Sequence, residues 1–292
     1  MAATSCIATL ATYDAIKDLR VFLFSAALFN EKPPTIYLYC DTRVYDILST
    51  FKYPGKIHAR VALDRYSGLR RIQMEATDGE TYGNLWFDFM AEKMNLLEWA
   101  VAEEGAETIR QRGIFFCDAD ICFLNKLPAV PPAAILALSP HDIRRGDEAK
   151  YGRYNGGFLW FSNPTVIEEW RGACEKSRFY EQSALEDVAA LVKDAGEGML
   201  YEFPRTTNYG WWRLFQGSKP AAELQMEWTM NRNKGGSGLL LLGQPVESIH
   251  THFGEDRDRV TLAFNSWIME WLRKLSGGHP PARRLHTFLM GI

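Results

Sequence analysis

Asp118 and Asp120 stand two residues apart at the end of the apolar run Gly113-Ile114-Phe115-Phe116-Cys117, and a second apolar run, Ile121 to Leu124, follows them. On an extended backbone, side chains at i and i+2 point the same way. Two carboxylates held together are costly to bury without compensation, and a hard divalent cation carrying a polyphosphate is the partner that suits them. The plainer alternative is a polar strand end that caps a helix. Further along, His250 and His252 repeat the i, i+2 spacing just past the apolar run Val246–Ile249; either could be a further metal ligand. Asn155 precedes Gly156-Gly157. Paired glycines let backbone come close to a ligand or another strand, and Asn155 offers a donor and an acceptor there. Glu181, Gln182, Glu186 and Asp187 crowd the first turn of a helical stretch, where the helix dipole favours acid in any case. Lys93 lies inside an apolar helical pattern. A lysine so placed either snorkels to solvent or reaches as a cation toward phosphates near the aspartates.

Three βα units must come before the aspartates to bring them to a sheet edge. Ser5–Thr12, Thr35–Cys40 and Lys56–Leu63 read as strands, with helices over 14–29 and roughly 43–52 between them. This β-α-β-α-β start predicts a parallel sheet. Asp41 or Thr42 can cap the second helix. The polar segment 64–84, with Arg65, Arg70 and Arg71, reads as a mobile or ligand-facing loop, and Trp86–Ala102 as a long helix. After the aspartate strand come a buried strand over Ala133–Ser139, a polar connection to Gly152 and the stretch Tyr154–Pro164, in which the paired glycines precede a strand. Helices follow over Thr165–Lys176 and Glu181–Lys193. Leu200–Phe203, Leu239–Leu242 and Val246–Ile249 read as short strands and Thr261–Leu275 as an amphipathic helix. The basic tail from Arg283 has no assigned structure.

The 292 residues carry a formal net charge of −3, which gives no reason to expect a nucleic-acid partner. No GxGxxG or Walker loop occurs, so dinucleotide and P-loop chemistry are not indicated. The five cysteines are scattered, without CxxC or zinc spacing, which suits a reducing compartment. No signal-peptide pattern and no run of 18 apolar residues occurs. A cytoplasmic protein without an integral membrane segment is expected.

In this order the segments resemble the GT-A fold glycosyltransferases that use nucleotide sugars, most closely the retaining lineage of glycogenin and the lipopolysaccharide galactosyltransferases. Phe116-Cys117-Asp118-Ala119-Asp120 is similar to that family's Asp-x-Asp strand, and Tyr154-Asn155-Gly156-Gly157-Phe158 to its Asn-Ala/Gly-Gly segment. Glu181-Gln182-x-Ala184-Leu185 resembles its Asp-Gln-x-Ala-Leu helix start, and His250 (or His252) with Phe253-Gly254 its late metal-binding histidine. The resemblance covers Ser5 to Gly254. It implies an α/β GT-A (Rossmann-like) fold: a mostly parallel central sheet flanked by helices, a smaller mixed sheet and a C-terminal helix. The transferase domain would span 1–260, with a nucleotide half to about 124 and an acceptor half after it, and 261–292 would form the C-terminal helix and tail.

The resemblance further implies a nucleoside-diphosphate sugar donor, a glycan or other hydroxyl acceptor, and Mn²⁺ or Mg²⁺ held by Asp118, Asp120 and His250, with His252 as substitute. Thr9, Ala11, Thr12 and Tyr13 would line the nucleoside, and Arg70 and Lys93 the diphosphate. Ala119, Asn155, Gly156 and Gly157 would face the donor, with Glu181 and Gln182 around the transferred sugar. Two departures stand out. Glu181 replaces an Asp, and the Lys-Pro-Trp after the late His-Phe-x-Gly is missing, with Glu255-Asp256-Arg257-Asp258 in its place and Arg257 as a substitute for its diphosphate contacts. Glu186-Asp187-Val188 resembles the segment of some inverting enzymes in which the second acid is the base, so Asp187 competes with a retaining mechanism. A haloacid-dehalogenase-like phosphatase also ends a strand in Asp-x-Asp, but on its first strand. A non-catalytic nucleotide-binding or self-glycosylated scaffold is the third alternative.

Overall fold

The computed structural model describes residues 5–254 and 258–292. Its strands, in chain order, are β1 (Cys6–Ala11), β2 (Thr35–Cys40), β3 (Ile57–Val61), β4 (Ile114–Cys117), β5 (Ile121–Phe123), β6 (Leu136–Pro140), β7 (Tyr154–Phe161), β8 (Leu200–Glu202), β9 (Tyr209–Gly210), β10 (Trp228–Met230), β11 (Leu239–Leu241), β12 (Gln244–Pro245) and β13 (Ser248–His250). Seven form the central sheet in the order β3-β2-β1-β4-β7-β6-β8. β1 pairs in parallel with β2 and β4, as do β2 with β3 and β6 with β8; β7 runs against both its neighbours, β4 and β6. The strand sequences CIATLA, TIYLYC and IFFC are nearly unbroken apolar runs and are buried, as a sheet covered on both faces requires.

Period-two alternation divides the core. Cys6, Ala8 and Leu10 of β1 join Phe116 and Leu138 under the helices Leu85–Glu104, Thr165–Cys174 and Leu185–Ala195. Ile7 and Ala11 join Leu38 and Cys117 under the helix Ile16–Phe29. A third core lies around the small sheet β5-β13-β9, where Cys122, Tyr209 and Ile249 meet Phe264, Leu272 and Leu285 of the helices Arg259–Ser276 and Pro280–Leu289. This α/β arrangement, with a mostly parallel central sheet, smaller sheets and C-terminal helices, is the one the sequence led us to expect.

Four local expectations are corrected. The stretch expected as one helix from Glu181 is two, Tyr180–Ser183 and Leu185–Ala195. The tail is helical over Pro280–Leu289: proline fits its first turn, and the His279 ring accepts the Ala282 N–H at 3.3 Å. The connection before Gly152 contains the helix Arg145–Tyr151. Residues 64–84 are not a loose loop, because the buried Asp88 carboxylate accepts the N–H groups of Glu80 (2.6 Å) and Tyr82 (2.8 Å) and pairs with Arg65 at 3.1 Å. All five cysteines are free and buried, and burial pushes the thiols of Cys6, Cys40, Cys122 and Cys174 up to about 12. They act as small apolar residues. Among the described residues no helix is long and apolar enough to cross a membrane.

Candidate metal centre

β4 belongs to the central sheet and β5 to the small one, so the chain must change sheets between them. It does so over Asp118-Ala119-Asp120, in a turn closed by the Ile121 N–H donating to the Asp118 carbonyl at 3.1 Å. The two carboxylates therefore do not point the same way along an extended strand, as the spacing alone suggests. Their neighbours differ: Asp118 faces Lys93 and Asp120 faces the two histidines. One ligand atom each from Asp118, Asp120 and His250 nevertheless falls within 4.8 Å of the others.

His250 ends β13, which pairs antiparallel with β5 so that His250 lies opposite Ile121, and His252 lies two residues beyond the strand. The Thr251 N–H donates to the Asp120 carbonyl at 3.0 Å and locks this register. His250 Nε2 is 3.0 Å from Asp120 Oδ2, and His252 Nε2 is 3.3 Å from the same oxygen. Both rings face Asp120, but their settings differ. The His250 side chain is 7% exposed, with the edge of Trp212 against it, whereas His252 is 48% exposed and is steadied by Asp18 Oδ2, 3.2 Å from its Nδ1. His250 therefore completes the buried set and His252 stands at its mouth. Burial alone would raise the Asp120 carboxyl, but the adjacent imidazoles of His250 and His252 hold it below the usual carboxylate range.

Lys93 does not snorkel. It sits on the core-facing stripe of its helix with Phe89, Leu96, Leu97 and Ala100, and its ammonium ends among three acceptors: Glu181 Oε1 at 2.8 Å, the Gly156 carbonyl at 3.1 Å and Asp118 Oδ1 at 3.3 Å. Burial would lower the ammonium, yet the charges of Asp118 and Glu181 raise it above its ordinary value, so Lys93 stays cationic. A lysine has three N–H donors, and all three are engaged. A contact from Lys93 to a phosphate requires giving one of them up. Glu181 is fixed in turn through its backbone, whose carbonyl accepts the Trp170 indole N–H at 2.7 Å.

The paired glycines lie inside β7, not before it. There the strand slips out of register with β6, Leu138 facing Leu159 but Ser139 facing Asn155. Gly157 instead accepts the Asp118 N–H at 2.8 Å. A Cβ on Gly157 would lie 2.3 Å from Asp118 Oδ2 and 2.6 Å from His250 Cε1; one on Gly156 would lie 2.8 Å from Glu181 Oε1. Hydrogen is the only side chain that fits. Gln182 Oε1 accepts the Gly156 N–H at 3.3 Å while its Nε2 donates to the Tyr151 carbonyl at 2.9 Å. Asn155 Oδ1 accepts the Gly157 N–H at 3.0 Å.

Other expected residues lie further out. Thr9 is fully buried within β1 and its hydroxyl has no hydrogen-bond partner among the described residues; Ala11 and Thr12 are buried at the strand's end. The Tyr13 N–H donates to Asp41 Oδ2 at 2.9 Å, and the Arg43 guanidinium lies 3.8 Å over the Tyr13 ring. Asp41 also caps the following helix through the Val44 N–H. Arg70 is exposed before the short helix Arg71–Glu75, and Asp187 is exposed on the helix Leu185–Ala195. Neither touches the carboxylate cluster among the described residues, and Arg257 lies outside them. Asp18, His141 and Asn208 were not singled out in advance. Asn208 carried one signal, as a polar residue able to adopt the left-handed conformation it shows (φ 55°). A cleft of about 650 Å³ between Arg20, Phe24, Phe51, Arg284 and Phe288 contains none of these residues. It is not the site of this chemistry.

Two carboxylates and an imidazole with converging ligand atoms suit a divalent cation that accepts oxygen and nitrogen donors. No protein-family model matches the sequence, and no curated protein matches it. Among solved structures, the chain is similar to mouse xyloside xylosyltransferase 1, with 9% identity and a TM-score of 0.49 over 88% of this chain and 100% of that one. It is also similar to the glycosyltransferase GlyE of Streptococcus pneumoniae, with 13% identity and a TM-score of 0.49 over 91% of this chain and 60% of that one. For the bifunctional glycosyltransferase WbbM the values are 8% and 0.43, over 73% and 40%. All three are glycosyltransferases by name; at such scores the functional reading rests on the site.

Proposed function

We propose that this chain is a metal-dependent glycosyltransferase that moves a sugar from a UDP- or GDP-sugar to a hydroxyl of a glycan or other acceptor. The observation that carries the reading is the convergence of Asp118, Asp120 and His250 within 4.8 Å, beside a fully buried Lys93–Glu181 pair. An imidazole among the donors favours Mn²⁺ over Mg²⁺, which prefers oxygen alone. When bound, the cation stabilises negative charge as the nucleoside diphosphate departs. The chain's own residues do the rest. Asp118, Asp120 and His250 hold the ion, and Lys93 fixes Asp118 and Glu181 relative to each other. Gly156 and Gly157 leave room for Asp118, His250 and Glu181 to close on the site, and we place the sugar beside Asn155, Glu181 and Gln182. Thr12 and Tyr13 follow the end of β1, and there we place the nucleoside.

Asp187 is exposed and apart from the cluster, so we favour retention, with Gln182 and Glu181 on the sugar's inner side, over an inverting mechanism with Asp187 as base. A haloacid-dehalogenase-like reading is disfavoured because β1, where that chemistry needs its nucleophile, ends in Ala11-Thr12 instead of an aspartate.

Thermal unfolding with Mn²⁺ and a panel of nucleoside diphosphates tests the proposal. A ligand that binds only the folded chain raises its melting temperature, so UDP or GDP should stabilise it only with the metal. No response to any nucleoside diphosphate sinks the proposal. Release of nucleoside diphosphate from a donor panel then separates an enzyme from a binding scaffold.

A further inference from the structure

Behind His250 runs a chain of buried hydrogen bonds whose direction can be deduced from its backbone anchors. A backbone N–H can only donate, so the Gly157 N–H, 3.0 Å from Asn155 Oδ1, fixes that oxygen as an acceptor and identifies the other amide atom as nitrogen. Asn208 meets the same oxygen at 3.0 Å and must present its Nδ2; it also donates to Ser139 Oγ at 3.1 Å. Asn208 Oδ1 is thereby turned to His250 Nδ1, at 3.0 Å, and this ring nitrogen must carry hydrogen. On the other side Asn155 Nδ2 donates to His141 Nε2 at 3.2 Å, so the His141 proton is on Nδ1. There it meets the Gly152 carbonyl at 2.8 Å, which can only accept. The two anchors, reached from opposite directions, agree. Asn208 is itself fully buried, and its backbone N–H is held by Ser248 Oγ at 2.9 Å.

We propose that Asn208 is the positioning residue of the metal site, keeping hydrogen on His250 Nδ1 and its Nε2 turned toward Asp118 and Asp120, so that the Nε2 lone pair is the one offered to an ion when it binds. Asn155 and His141 act as the fixed backing that stops the Asn208 amide from turning over. The inference rests on the metal-site reading above and adds a residue from a separate segment to it. Hydrogen bonds of this kind behind a metal-bound histidine are worth roughly 10- to 100-fold in metal affinity.

The test is a double-mutant cycle read as Mn²⁺ affinity, from the paramagnetic resonance of free Mn²⁺, with circular dichroism confirming that each variant is folded. Asn208→Leu should weaken Mn²⁺ binding about 10- to 100-fold when His250 is present, and should cost nothing further in a His250→Ala background. An equal loss in both backgrounds, or no loss with His250 present, overturns the proposal. The wild-type chain supplies a second readout in case Asn208→Leu does not fold. Long-range ¹H–¹⁵N spectra, without metal and with diamagnetic Mg²⁺, should find hydrogen on His250 Nδ1; an Nε2–H tautomer with bare Nδ1 refutes it. Failure of the wild-type chain to bind Mn²⁺ defeats the metal reading itself and leaves the spectra to judge the hydrogen-bond chain.

Discussion

The two sides of the candidate site are held by opposite means. Around Asp118, order comes from charge: a buried ammonium sits between two carboxylates and a carbonyl. Around His250 it comes from neutral amides and imidazoles, His141, Asn155 and Asn208, each donor matched to an acceptor. Charge compensation tolerates variation in angle but fails badly when one partner is removed. A neutral network costs less to break at any one point, but it fixes orientation and tautomer. The lysine side is therefore the stability risk, and the asparagine side sets precision.

Lys93→Met gives the sharpest test of that contrast. It strands Glu181 and Asp118 and should destabilise the chain by about 3–5 kcal/mol in urea titration, and adding Glu181→Gln should restore much of the loss. If Lys93→Met is as stable as wild type, the charged side is not what holds the site. Next, Asp120→Ala should erase the Mn²⁺-dependent stabilisation by UDP or GDP, worth about 2.7 kcal/mol at a ligand concentration 100 times its dissociation constant.

The neutral side should reveal itself through pH. Burial pushes His141 down to about 4, with the nearby Arg213 charge acting the same way, against an ordinary value of about 6.5. A histidine depressed in the folded state contributes stability that is complete above its unfolded value and is lost as pH falls toward its folded one. Between about pH 6.5 and pH 5 wild type should lose on the order of 2 kcal/mol that His141→Gln keeps; parallel stability profiles for the two would contradict this. The smallest effect is expected from Asp187→Asn, which should alter stability by less than about 0.5 kcal/mol and leave turnover intact. Loss of turnover there would instead favour the inverting base.

The frame was largely legible because its signals are local. The bounds of β2 and the end of β7 follow from apolar runs edged by Asp41 and by Asn163-Pro164. The Asp-x-Asp, the paired glycines and His250 were recognisable as types at spacings. What remained hidden depends on contacts between distant segments. The amphipathic pattern around Lys93 shows a stripe, but not that the stripe ends against carboxylates 25 and 88 residues away. Nothing near Asn208 in sequence indicates that it joins residues 42, 53 and 69 positions distant. The different neighbours of Asp118 and Asp120 follow from a change of sheet, which the spacing of two acids does not encode.

β7 runs against its neighbours, and this gives the molecule two poles of different character. The parallel strands reach the site with their exits, but β7 reaches it with its entrance, Asn155 to Gly157, and leaves at Phe161 beside Ile114, the first residue of β4. There the Trp160 indole covers Gly113, leaving no space for a Cβ. Both the approach to the aspartates and the departure from the glycines thus pass through one remote, close-fitting turn region. Chain spliced in at Ser162 or Asn163 would emerge on the face turned away from donor and acceptor, which makes this the natural place to attach a probe or a tether without obstructing the site.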